Sequence, residues 1–88
     1  MNMVEFESKI LQAESYSIII IPKDLSLKLK SRGLAAAEGT VDGHHIKTVL
    51  EPDGKGSHWF HLTADFILNN NINLNSRHKI ILGETEDW

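Results

Sequence analysis

EGTVDGHHIKTVLEPDGKGSHWFHL, residues 38 to 62, decides the fold, because it places two tight chain reversals only ten residues apart. Asp42-Gly43 is a dipeptide that accepts the positive φ of a two-residue hairpin turn, so it predicts strands over residues 35–41 and 45–51. The loop PDGKG, residues 52–56, then predicts a second hairpin whose return strand is SHWFHL, residues 57–62.

Outward from this core the period stays at two. VEFESKIL, residues 4–11, alternates Val4, Phe6, Ser8 and Ile10 against Glu5, Glu7, Lys9 and Leu11, which suits a strand with one buried face. Gln12 to Ser15 turn the chain. YSIIII, residues 16–21, is β-branched on both faces and predicts a strand covered on both sides or lying at the centre of a small barrel.

Two short helices interrupt the strands. Leu25, Leu27 and Leu29 alternate as in a strand, but Pro22 suits a first helical turn and Gly33 a helix stop, so a helix is favoured over roughly Lys23 to Ser31, with Leu25 and Leu29 inward and Leu27 left without a role. Thr63 is placed to cap a second helix over ADFILNNN, with Phe66 and Ile67 as its buried pair and the asparagines 69–71 at its end. RHKIIL, residues 77–82, is the last strand, and the acidic tail ETEDW follows.

The order is therefore β-β-α-β-β-β-α-β. IIPKDLSL, residues 20–27, aligns without gaps with HLTADFIL, residues 61–68, at an offset of 41. That match suggests an internal duplication about a pseudo-twofold axis, with two interlocked halves closing a β-barrel of about six strands.

Composition limits the functions open to such a chain. Eighty-eight residues make one small domain in which nearly every apolar side chain must serve the core. Nine Lys and Arg against twelve Asp and Glu leave a net charge of -3, which makes nucleic acid an unfavourable partner, since non-specific binding needs an excess of cations. Lys23, Lys28, Lys30 and Arg32 form a local basic stretch with one acid, Asp24, and read first as a solvated face. Without cysteine there is no disulfide, thiolate nucleophile or Cys-rich zinc site. The longest apolar run, Ile18 to Pro22, is far shorter than the roughly 20 residues of a membrane span, so a cytoplasmic protein, monomeric or homodimeric, is expected.

Four of the five histidines lie between residues 44 and 61, which raises the question of a metal. Strand parity separates them. Ile46, Thr48, Leu50, His58, Phe60 and Leu62 share one face, whereas His45, Lys47, Val49, Trp59, His61 and Thr63 share the other. With residue 51 pairing near 57, Lys47 falls opposite His61 and Leu50 opposite His58. Two histidines on a face with a lysine between them do not make a three- or four-ligand site, so no metal and no cofactor is expected.

His58, on an otherwise apolar face, has the strongest individual claim. Its simplest role is to pack in the barrel mouth and bond a loop carbonyl; the alternative is contact with a ligand or acid–base chemistry with Asp53 or Glu51. EPDGKGSH lacks the strand, loop and long helix of a phosphate-binding loop, and no serine has the setting of a nucleophile. Trp59 has two readings, as filling under a capping helix or as a partner surface beside its cationic neighbours.

The succession IIPKDL, Arg32-Gly33, GTVDG, PDGKGSHWF and HLT resembles the bacterial domain-of-unknown-function family nineteen-oh-five, from about Phe6 to Leu82. The resemblance implies a small closed β-barrel capped by short helices, either alone or preceding a bacteriocin-protection-type domain, and it implies no activity. Asn75-Ser76-Arg77-His78-Lys79 departs from the Gly-Asp pair and alternating valines typical of that family before the last strand. The reading that results is a non-enzymatic ligand- or protein-binding module, with His58, Trp59, Lys55, His61 and Lys47 as its contact residues. The alternatives are a swapped-hairpin DNA-binding protein using Lys23, Lys28, Lys30 and Arg32, and a hydrolase or isomerase built on His58.

Overall fold

The computed structural model describes residues 3–85, so Glu86, Asp87 and Trp88 of the acidic tail lie outside the described residues. Its elements in chain order are β1 (Met3–Lys9), β2 (Leu11–Ala13), β3 (Tyr16–Ile21), α1 (Lys23–Ser26), β4 (Ala35–Val41), β5 (His44–Pro52), β6 (His58–Leu62), α2 (Ala64–Asn69) and β7 (Arg77–Glu84). The first hairpin forms where expected: Asp42 and Gly43 carry φ of 51° and 83° between β4 and β5.

The strands form one seven-stranded antiparallel sheet in the order β1-β7-β4-β5-β6-β3-β2. It is an open half-barrel and not the closed six-stranded barrel expected from the sequence. The strand predicted over residues 4–11 breaks at Ile10: its first part pairs with β7 and its second with β3. Ile10 is buried at this bend and anchors the chain as it changes partners. β3 also departs from expectation, because only Ser17, Ile19 and Ile21 are buried, whereas Ile20 and Tyr16 are 42% and 44% exposed.

The first helix is shorter than predicted, four residues instead of the stretch Lys23 to Ser31. After Ser26 the bonds tighten to Lys28 N–H to Leu25 O and Leu29 N–H to Ser26 O, and the Arg32 guanidinium takes the carbonyls of Ser26 and Leu29 at 2.5 and 2.8 Å. Those carbonyls therefore find a side chain in place of further helix. Leu29 still reaches the core, and the early stop turns Leu27 outward, 58% exposed. In α2 the Thr63 hydroxyl accepts from Phe66 N–H at 3.1 Å, and Phe66 and Ile67 pack partly buried against the core.

The second hairpin forms with a different register. Pro52 stays in the strand and pairs with His58, while Glu51 pairs with Trp59, so the loop runs over residues 53–57 and the partners move by two places. Asp53 accounts for the shift, since its carboxylate accepts the amides of Lys55 and Ser57 at 2.7 and 3.0 Å and its own amide bonds Ser57 O. A shift of two preserves the faces but not the opposite partners.

The strand registers repeat along the chain at an offset of 41 or 40. Ile19 and Phe60, paired in the β3–β6 ladder, are 41 positions apart, and so are Thr40 and Ile81, paired in β4–β7. Advancing β3, α1 and β4 by 41 and β1–β2 by 40 carries them onto β6, α2, β7 and β5 with their registers intact. Leu11↔Ile18 becomes Glu51↔Trp59, and Phe6↔Ile80 becomes Ile46↔Gly39. The helix caps Pro22 and Thr63 correspond, and the buried trio Ser17, Ile19, Ile21 maps onto His58, Phe60, Leu62.

Candidate functional site: the outer face of β3 and β6

The outer face of β2, β3 and β6 carries an unusual amount of apolar surface for a face turned to solvent. Alternation along β3 sends Tyr16, Ile18 and Ile20 outward, and the ladders set Leu11 and His61 beside Ile18 and Trp59 beside Ile20. Leu11, Tyr16 and Ile20 are each more than two-fifths exposed. His61 stands between two aromatic rings in edge-to-face contact, with centroids 4.7 Å from Tyr16 and 4.9 Å from Trp59. On the Trp59 side, Glu51 Oε2 lies 3.6 Å from His61 Nδ1.

At the Tyr16 end this face runs into a shallow groove of about 450 Å³. The β2–β3 turn forms one wall and α2 with Leu74 the other; Tyr16, Ser17, His61, Ile67, Leu68 and Leu74 are its main lining. Leu68 is 73% exposed on this rim. No carboxylate, lysine or arginine lines the groove, so its chemistry is contact with apolar and aromatic matter plus hydrogen bonds to hydroxyl, imidazole and backbone groups.

The residues singled out from the sequence do not converge. Trp59 and His61 share the outer face. Lys47 pairs with Glu38 across β4–β5 and not with His61; there Glu38 bonds His45 at 2.5 Å. The Glu38 carboxyl is held below its ordinary value mainly by that bond. Lys55 is in the exposed loop, where its amide and that of Ser57 depress the Asp53 carboxyl. Of the basic stretch, Arg32 is engaged with α1 carbonyls, the Lys23 stem lies beside Gly56, and Lys23, Lys28 and Lys30 are exposed.

His58 is only 1% exposed. Its amide donates to the buried Ser26 hydroxyl at 2.9 Å, its Nε2 lies 3.2 Å from Gly33 O, and Nδ1 is buried with no hydrogen-bond partner. Asp53 is occupied by loop amides and Glu51 stands by His61, so neither carboxylate orients the His58 ring. Among the described residues no group of three or more His, Cys, Asp or Glu is gathered for a metal. No helix there is long and apolar enough to cross a membrane.

Sequence reasoning passed over His78. This residue is 3% exposed, with Nδ1 on Asp42 Oδ2 and Nε2 2.6 Å from Asn73 O, while Asp42 Oδ1 accepts the Lys79 amide at 2.9 Å. It pins the loop before β7 to the β4–β5 turn, at the very stretch that departs from the family pattern. Burial raises the Asp42 carboxyl, but the bonds from His78 and Lys79 outweigh it and leave the group below its ordinary value.

Fold and surface together define a small β-rich half-barrel domain with two short helices and one apolar outer face. The family model for Domain of unknown function (DUF1905) matches residues 6–80, and the chain belongs to that family. No curated protein matches the chain.

Proposed function

We propose that this domain is a non-enzymatic binding module and that its contact surface is the outer face of β3 and β6 with the adjoining groove. The observation that carries this reading is the continuity of exposed Leu11, Tyr16, Ile20 and Leu68 with the Tyr16–His61–Trp59 ring row, a patch of the kind that marks interaction sites. Of the residues favoured from sequence, Trp59 and His61 belong to this surface, whereas Lys47, Lys55 and His58 lie apart from it. The repeated framework further supports descent from a duplicated β-β-α-β unit, with residues of both copies meeting at this surface.

The test is a methyl- and amide-resolved NMR titration with anilinonaphthalene sulfonate, an apolar dye. Shifts gathered on Tyr16, His61, Ile67, Leu68 and Leu74 are expected. Shifts confined to the opposite β4–β5 face, or none at millimolar dye, would sink the reading.

A further inference from the structure

The repeat at an offset of 41 gives the groove a counterpart in the other half of the fold. Four of the main lining residues have counterparts 41 positions away that surround or include His58: Ser17 corresponds to His58, Ile67 to Ser26, Leu68 to Leu27 and Leu74 to Gly33, whereas Tyr16 and His61 correspond to Ser57 and Ile20 and give the groove aromatic rings of its own. At the counterpart place the space is filled by the chain itself. The His58 imidazole reaches from the inner face of β6 to Gly33 O, and its amide ties to Ser26. Where β6 presents that ring, β3 presents only the hydroxymethyl of Ser17, which bonds Gln12 Oε1 at 3.2 Å, and the groove is open.

We propose that the groove is a binding site for a small planar nitrogen heteroaromatic molecule, an imidazole- or indole-type ring, seated as His58 is seated in the other half. This rests on the binding reading above and names its ligand class. Three features favour that class over a purely aliphatic ligand. Tyr16 and His61 supply aromatic edges on one wall, Ile67 and Leu74 supply apolar faces on the other, and residue 74 holds the sequence place of Gly33, whose carbonyl faces the His58 ring nitrogen. The lining carries no carboxylate, lysine or arginine, which argues for a neutral ring. A substituent of the ring would continue along the Tyr16–His61–Trp59 row toward Ile20.

Titration of the intact chain with indole, imidazole and benzene, followed on the Ile67, Leu68 and Leu74 methyls, tests the proposal. Saturable binding of indole and imidazole is expected, at least several-fold tighter than that of benzene, which lacks the N–H. Ser17→His, which supplies the ring from the chain as His58 does in the other half, should abolish the indole shifts while the variant keeps the wild-type amide spectrum elsewhere. Should that variant misfold, Leu74→Trp serves, since an indole side chain on the rim should compete with added indole. Equal affinity for benzene would overturn the heteroaromatic class while leaving an apolar binding groove. Undiminished indole shifts in both variants, or no shifts with any of the three probes, would overturn the site itself.

Discussion

His58 and His78 are the histidines this fold buries, and each is used to hold chain segments together. Of the histidines left outside, His45 and His61 follow the parity of their strands, whereas His44 has the parity of buried Ile46 and is exposed at the start of β5. Parity was therefore a sound guide to faces, but it could not tell which face a helix would cover. The role of His78 was not legible in the sequence because Asp42 lies 36 positions away and the Asn73 carbonyl is brought to the ring only by the loop before β7. Glu38, Asp42 and Asp53 all have carboxyls held below their ordinary values of 4.5 and 3.8. A depressed folded value means the unfolded chain binds protons first, so the stabilisation is present above the ordinary value and lost as pH falls through the folded one. Urea midpoints should drop between about pH 5 and about pH 2, and Asp42→Asn should make the drop shallower. Equal slopes for the two proteins would remove Asp42 from the account.

At the level of elements, the strands and turns were readable because period two and the Asp-Gly and Gly-x-Gly signals are local. What depended on side-chain bonds to the backbone or on the choice of neighbouring strand was misjudged. The break at Ile10 depends on one strand serving two neighbours, the register at Pro52 on Asp53 capping its own loop, and the end of α1 on Arg32 reaching back to two carbonyls. Gly39 shows how tightly β4 and β7 are fitted, because a Cβ there would stand 1.8 Å from Ile81 O. Gly39→Ala must push backbone from backbone, and we expect a loss of about 3 kcal/mol or more, or no folding at all. Gly33→Ala, where nothing lies within 4 Å, should cost under about 1 kcal/mol and serves as the control in chemical denaturation. Similar losses for the two variants would mean that the β4–β7 contact is looser than described.

For the whole molecule, the aligned octapeptides at residues 20–27 and 61–68 already contained the offset that relates the two halves. Extending that alignment three residues toward the N-terminus sets Ser17 against His58, the substitution that separates an open groove from a filled one. Nothing in the composition pointed there, since Leu68 and Leu74 gain significance only when α2 and the following loop are placed beside β3. Charge is the property that composition did fix: with a net charge of -3 and Arg32 engaged on α1, no retardation of duplex DNA is expected in a low-salt gel-shift at micromolar protein. Retardation abolished by substituting Lys28 and Lys30 would instead revive the DNA-binding reading.

The central claim is that the groove beside β3 is the place this fold keeps open for a ligand. A crystal structure of the chain grown with indole tests it most directly. Planar density between Tyr16, Ile67 and Leu74, with the ring nitrogen toward the carbonyl of residue 74, is the predicted result; an empty groove with indole bound on another face would contradict it.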